Sequence, residues 1–210
     1  SGQHIAVHTP RGVLTARIVV VTVSSALIAH EHIRFTPALP EKVAAASGLP
    51  LGLANKLFFS LESATEFEGD SRVFGHPREV GTAAYHIRPY GRPLIEAYFG
   101  GGLADHLEHE GGRAFVDFAE YELNGLLGSS FSKRLKPVRL TQWRKDEFAL
   151  GSYSYAMPGH HGDRAKLAAP VDNRLFFAGE ACSIGSFSTA HGAYHTGVAA
   201  AEQALAALGR

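Results

Sequence analysis

The chain carries one cysteine, Cys182, in 210 residues, which excludes an intrachain disulfide framework and any cysteine-based metal site. A lone thiol fits a reducing, cytoplasmic setting. Charge of one sign is missing as well, since 20 basic residues stand against 20 acidic ones. Without a broad field, neither nucleic acid nor an anionic membrane surface is an expected partner. No apolar run approaches the roughly 20 residues that span a bilayer. The opening SGQHIAVHTPRGV lacks the charged and then apolar pattern of a signal peptide. Also absent is a strand–GxGxxG–helix turn; Gly100-Gly101-Gly102 reads as a loop, because no such order surrounds it.

Histidine, by contrast, is plentiful, with 12 copies. His106 and His109 share helical spacing, as do His191 and His195. Such pairs without a third ligand on the same face do not make a metal site, and none is expected.

The richest stretch is Asn173 to Leu208. Leu175-Phe176-Phe177-Ala178 is a short apolar run of the buried-strand kind. Gly179-Glu180 opens a loop of Gly and Ser, and an Ala-rich helix follows from about Ala190, with Ser188 and Thr189 as N-caps. A helix start offers free N–H groups and a partial positive charge to an anionic or carbonyl-bearing ligand. Gly185 and Gly192 would let such a ligand come close to the backbone.

Earlier in the chain, residues 3 to 9 alternate in polarity, and Pro10-Arg11-Gly12-Val13 reads as a hairpin turn into a second strand. Arg17 to Val23 is a β-branched run that reads as a strand buried on both faces. Glu41 to Ala46 is a short helix stopped by Gly48 and Pro50. Residues 53 to 62 alternate as a strand, with Lys56 near its beginning. Residues 64 to 112 read as short strands and loops, turning at Pro89 to Pro93. Arg113 to Leu127 carries Phe115, Phe118, Ala119, Leu123 and Leu126 at helical spacing. Val138 to Gly159 reads as a strand, a charged turn and an aromatic loop in which Gly151 allows close backbone approach. Residues 159 to 171 read as a surface loop without chemistry.

Two of these stretches carry a resemblance. FAGE, a Ser/Gly loop and STAHGAYHTG before an Ala-rich helix closely resemble the last flavin-contacting segment of the flavin-containing amine oxidases. That family includes monoamine, polyamine and L-amino-acid oxidases and flavin-dependent histone demethylases. The run from Trp143 to Tyr155, WRKDEFALGSYSY, is similar to a second family segment. The resemblance implies FAD as cofactor, contacted by Gly179, Glu180, Thr189, Ala190, His191, Gly192 and Ala193. It implies Lys56 as the lysine beside flavin N5, with Trp143 near the ring and Tyr153 as a wall of the substrate cavity. In monoamine oxidases a second Tyr completes an aromatic cage; Thr189 stands there in this chain, which speaks against that substrate preference. Ser24 and Ser25 also depart from the Pro-Pro or Pro-Leu common in the family.

The fold class implied is α/β (mixed α+β), with the C-terminal part of an FAD-binding Rossmann-like domain and a substrate domain of mixed sheet and helices. Residues 1–36 would belong to the FAD-binding domain, 37–150 to the substrate domain, and 151–210 to the C-terminal FAD-binding segment. The resemblance covers only the C-terminal half of a family member. The implied function is therefore that of a portion of an FAD-dependent amine oxidase, turning an amine or amino acid into an imine while O₂ becomes hydrogen peroxide. Its implied partners are that small-molecule amine or amino acid and the N-terminal FAD-binding half. Without the GxGxxG segment the isolated chain is expected to be inactive, and its open strand edges to favour self-association. Two alternatives stay open: a non-catalytic binding or assembly subunit that kept the fold, and a flavin-dependent desaturase or isomerase.

Overall fold

In the computed structural model the described residues are 4–209. Residue 3, where the first strand was expected to begin, lies outside them. The order along the chain opens with β1 (Ile5–Thr9), β2 (Gly12–Ala16), β3 (Val19–Val21), α1 (Ser25–Ala29), α2 (Pro40–Ser47), β4 (Leu51–Gly52) and β5 (Ala54–Leu61). It continues with β6 (Ser71–Phe74), β7 (Ala84–Ile87), β8 (Leu94–Gly100), α3 (Gly101–Glu110), α4 (Gly112–Leu127) and β9 (Leu135–Leu140). It closes with β10 (Tyr153–Ser154), α5 (Asp163–Ala168), β11 (Leu175–Phe177) and α6 (Ala190–Ala207). Contacts divide the chain into two compact units. A terminal unit takes in everything up to Gly52 and from Phe148 onward, and a continuous unit runs over Leu53–Glu147.

The terminal unit begins with the expected hairpin, β1 against β2, in the register Ile5↔Ala16 to Thr9↔Gly12. Thr9 Oγ1 ties its turn, accepting from the Arg11 N–H and donating to Gly12 O. β3 lies parallel to β11, Val19↔Leu175 to Val21↔Phe177. The expectation of a strand buried on both faces is not met, because among the described residues β3 pairs with β11 alone and Val20 is 38% exposed. α1 is capped by Ser24, whose Oγ accepts from the Leu27 N–H. α2 starts on Pro40, which lacks only an N–H the first turn cannot use. It turns Ala45 and Ala46 onto Leu49, Leu167 and Phe177. α2 therefore belongs to the terminal unit, and the boundary expected at 36/37 falls inside that unit.

The continuous unit is built on a five-stranded sheet of order β6-β7-β8-β5-β9, with antiparallel pairing throughout rather than the mixed pairing expected. Alternation sends Leu57, Phe59 and Leu61 of β5 to one face, beside Ile95, Ala97 and Phe99 of β8 and Tyr85 and Ile87 of β7. That face packs on Phe115, Ala119 and Leu123 of α4, with Phe99 edge-on to Phe115 at 5.1 Å. Each of the Leu, Ile and Phe side chains, fully buried, contributes about 1.5–3 kcal/mol. Leu126, assigned to the same stripe, is 41% exposed, and Val116 is buried instead. Pro137 is tolerated because β9 is an edge strand and its register with β5 shifts at Phe58/Phe59.

Three helices were not expected. α1 forms at Ser25–Ala29, Gly101 and Gly102 open α3 instead of lying in a loop, and 163–168 form α5 inside the supposed surface loop. The mixed α/β class itself holds.

Candidate functional site

In an α/β arrangement a ligand crevice forms outside the carboxyl ends of parallel strands. β3 and β11 are such a pair, and beyond their ends lies a cleft of about 270 Å³. Val21, Thr22 and Ser24 line it after β3, Gly179 and Glu180 after β11, and Ala193 from α6. Gly179 has φ +134°, and a Cβ there would meet open space. Its N–H donates to Thr196 Oγ1 of α6 at 3.0 Å, so the turn out of β11 is tied to the last helix.

The Glu180 carboxylate points into the protein. One oxygen accepts from the Ser154 N–H at 2.9 Å, and the other from Ser154 Oγ at 2.8 Å and the Ser188 N–H at 2.7 Å. Ser154 Oγ in turn accepts from Arg164 Nη1 at 2.8 Å, and the same nitrogen reaches Ala181 O at 3.2 Å. Arg164 is only 2% exposed, with its guanidinium carbon 4.2 Å from the centre of the Phe187 ring. Burial pulls the Arg164 guanidinium below its ordinary range, against the opposing pull of Glu180 and Cys182. Cys182, at the cleft, is buried, and that burial pushes its thiol up to about 11. Nothing in residues 159 to 171 had suggested Arg164. The signal available was a charged pair, Asp163-Arg164, before Leu167, which pattern alone assigns to solvent.

At the start of α6 Thr189 is the N-cap: its Oγ1 accepts from the Gly192 N–H at 3.0 Å and donates to Ser186 O at 2.6 Å. The N–H groups of Ala190 and His191 have no acceptor within the helix. Both residues are exposed. A Cβ on Gly192 would run into Ser186 O, so this glycine makes room for the loop itself. Gly185 faces open space. The His191 and His195 rings are 6.5 Å apart, and among the described residues no group of three or more side chains could hold a metal ion.

Lys56 and Trp143 belong to the continuous unit, Tyr153 to the terminal one. Lys56 sits on an interior strand, on the sheet face away from the core, with Nζ 2.6 Å from Glu96 Oε1. Trp143 is 40% exposed on the segment after β9, and its N–H donates to Asn55 Oδ1 at 3.2 Å. Asn55, wholly buried, donates from Nδ2 to Glu108 Oε2 at 2.6 Å, while Glu108 Oε1 accepts from the Lys145 N–H at 2.9 Å. The residue next to Lys56 thus also holds the Trp143 segment, a link that spacing could not reveal. Tyr153, 39% exposed, follows Gly151, where a Cβ would lie 2.5 Å from Leu51 Cβ; the close approach expected there is to β4.

A crevice at the ends of parallel strands, a glycine turn and an open helix start define an α/β unit suited to a nucleotide-type cofactor. The particular class follows from comparison. The family described as flavin containing amine oxidoreductase matches residues 1–205, and the chain belongs to it. Polyamine oxidase 2 of Arabidopsis thaliana is 33% identical over 191 residues, covering 87% of this chain and 38% of the relative. Lysine-specific histone demethylase 1 homolog 2 of the same plant is 32% identical over 206 residues, 92% of this chain and 27% of the relative. A redesigned putrescine oxidase superposes with a TM-score of 0.77 at 19% identity, over 97% of this chain and 46% of its own, a likeness of fold. The chain spans less than half the length of each of these proteins. The cofactor of the family is flavin, as FAD. The residues around the cleft fit part of such a group: open N–H donors at α6, unobstructed space at Gly179, and a loop clamped from behind.

Proposed function

We propose that this chain is the C-terminal portion of an FAD-dependent amine oxidase that converts an amine or amino acid to an imine. The observation that carries the reading is the cleft beyond β3 and β11, bordered by Gly179, Glu180 and Ala193 of the segment expected to meet the cofactor. Bound flavin would supply the redox chemistry, taking a hydride equivalent from the amine C–H and passing electrons to O₂ to give hydrogen peroxide. The protein residues do the rest. The N–H groups of Ala190 and His191 would hold a flavin carbonyl at the helix start. Thr189 and Gly192 keep that first turn in shape, and Glu180 holds the loop from within. Lys56 would lie beside flavin N5 as a hydrogen-bond donor, oriented by Glu96, with Trp143 near the ring and Tyr153 bounding the substrate cavity. The FAD-binding half of the same enzyme would cover apolar residues that the terminal unit leaves exposed, such as Leu14 and Tyr194. In its absence the chain would self-associate.

The test is a visible absorption spectrum of the purified chain, with and without added FAD. Because the pyrophosphate fingerprint is missing from this sequence, weak or absent flavin binding is expected for the chain alone, and stoichiometric binding once the complementary half is supplied. Failure to bind flavin with that half present would overturn the reading.

A further inference from the structure

Arg164 is the most deeply buried charged side chain near the cleft, and nothing assigned to the cofactor segment requires it. We propose that Arg164, acting through Ser154, is a positioning residue that sets the Gly179–Thr189 loop in its cofactor-ready shape. The inference rests on the reading that this loop and the start of α6 meet FAD.

The physical argument begins with charge. A buried guanidinium is tolerated only where its protons are taken up and an anion lies near. Here Nη1 serves both Ser154 Oγ and Ala181 O. Nη2 is buried and has no hydrogen-bond partner among the described residues. The nearest compensating charge is Glu180, reached through the Ser154 hydroxyl, which accepts from the arginine and donates to the carboxylate. From the carboxylate the chain of bonds continues to the Ser188 N–H. Ser188 Oγ closes the circuit by donating to Ser154 O at 2.6 Å. Phe187 covers the guanidinium face from the same loop. Both ends of the loop are thereby tied to one point on α5: Ala181 and Glu180 near its beginning, Phe187 and Ser188 near its end. Ser188, held at φ +60°, is the last residue before the N-cap Thr189. A shift there would reorient the first N–H groups of α6.

The experiment is hydrogen exchange of the chain, read peptide by peptide, for wild type, Arg164→Met and Arg164→Lys. With Arg164→Met, amides from Glu180 to Ser188 should exchange about tenfold faster or more, the size expected for one charge-assisted hydrogen bond. β5 should keep its protection. Arg164→Lys, which keeps the charge and a donor nitrogen, should restore part of the loss; equal behaviour of Met and Lys variants would reduce Arg164 to filler and overturn the proposal. Unchanged exchange over Glu180–Ser188 in both would overturn it as well. If Arg164→Met does not fold, Ser154→Ala breaks the same relay while leaving the Arg164–Ala181 bond. It should loosen the same peptides, and unaltered protection there would count against the clamp. A parallel titration with FAD and the complementary half separates the two readings. A loosened loop with unchanged flavin affinity leaves the clamp standing and removes the cofactor role of the loop.

Discussion

Cys182 and Lys42 are buried titratable side chains of the terminal unit whose proton equilibria pull in opposite directions. Burial raises the Cys182 thiol from 9.0 to about 11, so the folded protein keeps a proton that the unfolded chain gives up first. Its contribution is fully present below pH 9 and is lost as pH rises through about 11. Lys42 behaves oppositely. Its ammonium donates to Lys166 O at 2.7 Å and Leu167 O at 2.9 Å and also bonds Ala169 O, while burial pulls it below 10.5. There the folded state releases its proton first, and stability rises with pH up to 10.5. The wild type alone therefore hides both trends. Cys182→Ala should expose them: the stability gap between wild type and variant, from urea unfolding midpoints, narrows between pH 9 and about 11. A gap independent of pH would mean that the thiol is not held protonated by the fold.

At the scale of elements, the segment after β9 is held by Asn55 of β5 together with Glu108 of α3. Asn55 bonds both the Trp143 N–H and Glu108 of α3. Asn55→Ala should cost about 1.5–3 kcal/mol, the range for a hydrogen bond to a charged group. It should also move the fluorescence of Trp143, the sole tryptophan, to longer wavelength as the segment loosens. Unshifted emission would show that other contacts hold it. The elements that were legible in the sequence are those whose pattern is apolar. The β1–β2 hairpin, β5, α4, β11 and α6 all announce themselves by alternation, a short apolar run, helical spacing or caps. α5 escaped because its inward face is Asp163 and Arg164, residues that pattern reading sends to water. α3 escaped because it opens on two glycines and buries Glu108 beside Ala104 and Leu107. In the site, glycines and caps were readable as positions, but their reasons were not. Gly192 yields to Ser186 O, and Glu180 to Ser154 and Ser188, through contacts distant in sequence or dependent on the folded loop.

At the scale of the whole molecule, the terminal unit is assembled from two pieces of chain that enclose the continuous one. β3 finds β11 only after more than a hundred intervening residues have been made. The continuous unit, whose longest-range strand pairing joins β5 to β9, waits for a shorter length of chain. The parallel pairing is the costliest loop closure in the chain, and folding rates fall with such separations. Refolding from denaturant should therefore show two phases. Trp143, in the continuous unit, should recover its emission first, while amides of β3 and β11 gain protection later. Simultaneous recovery would mean that the units fold as one. In a cell the order implies a late checkpoint: the cleft at the ends of β3 and β11 comes into existence only when the final stretch of the chain arrives, so a ribosome stalled before β11 would leave the five-stranded sheet finished and the terminal unit without its cleft.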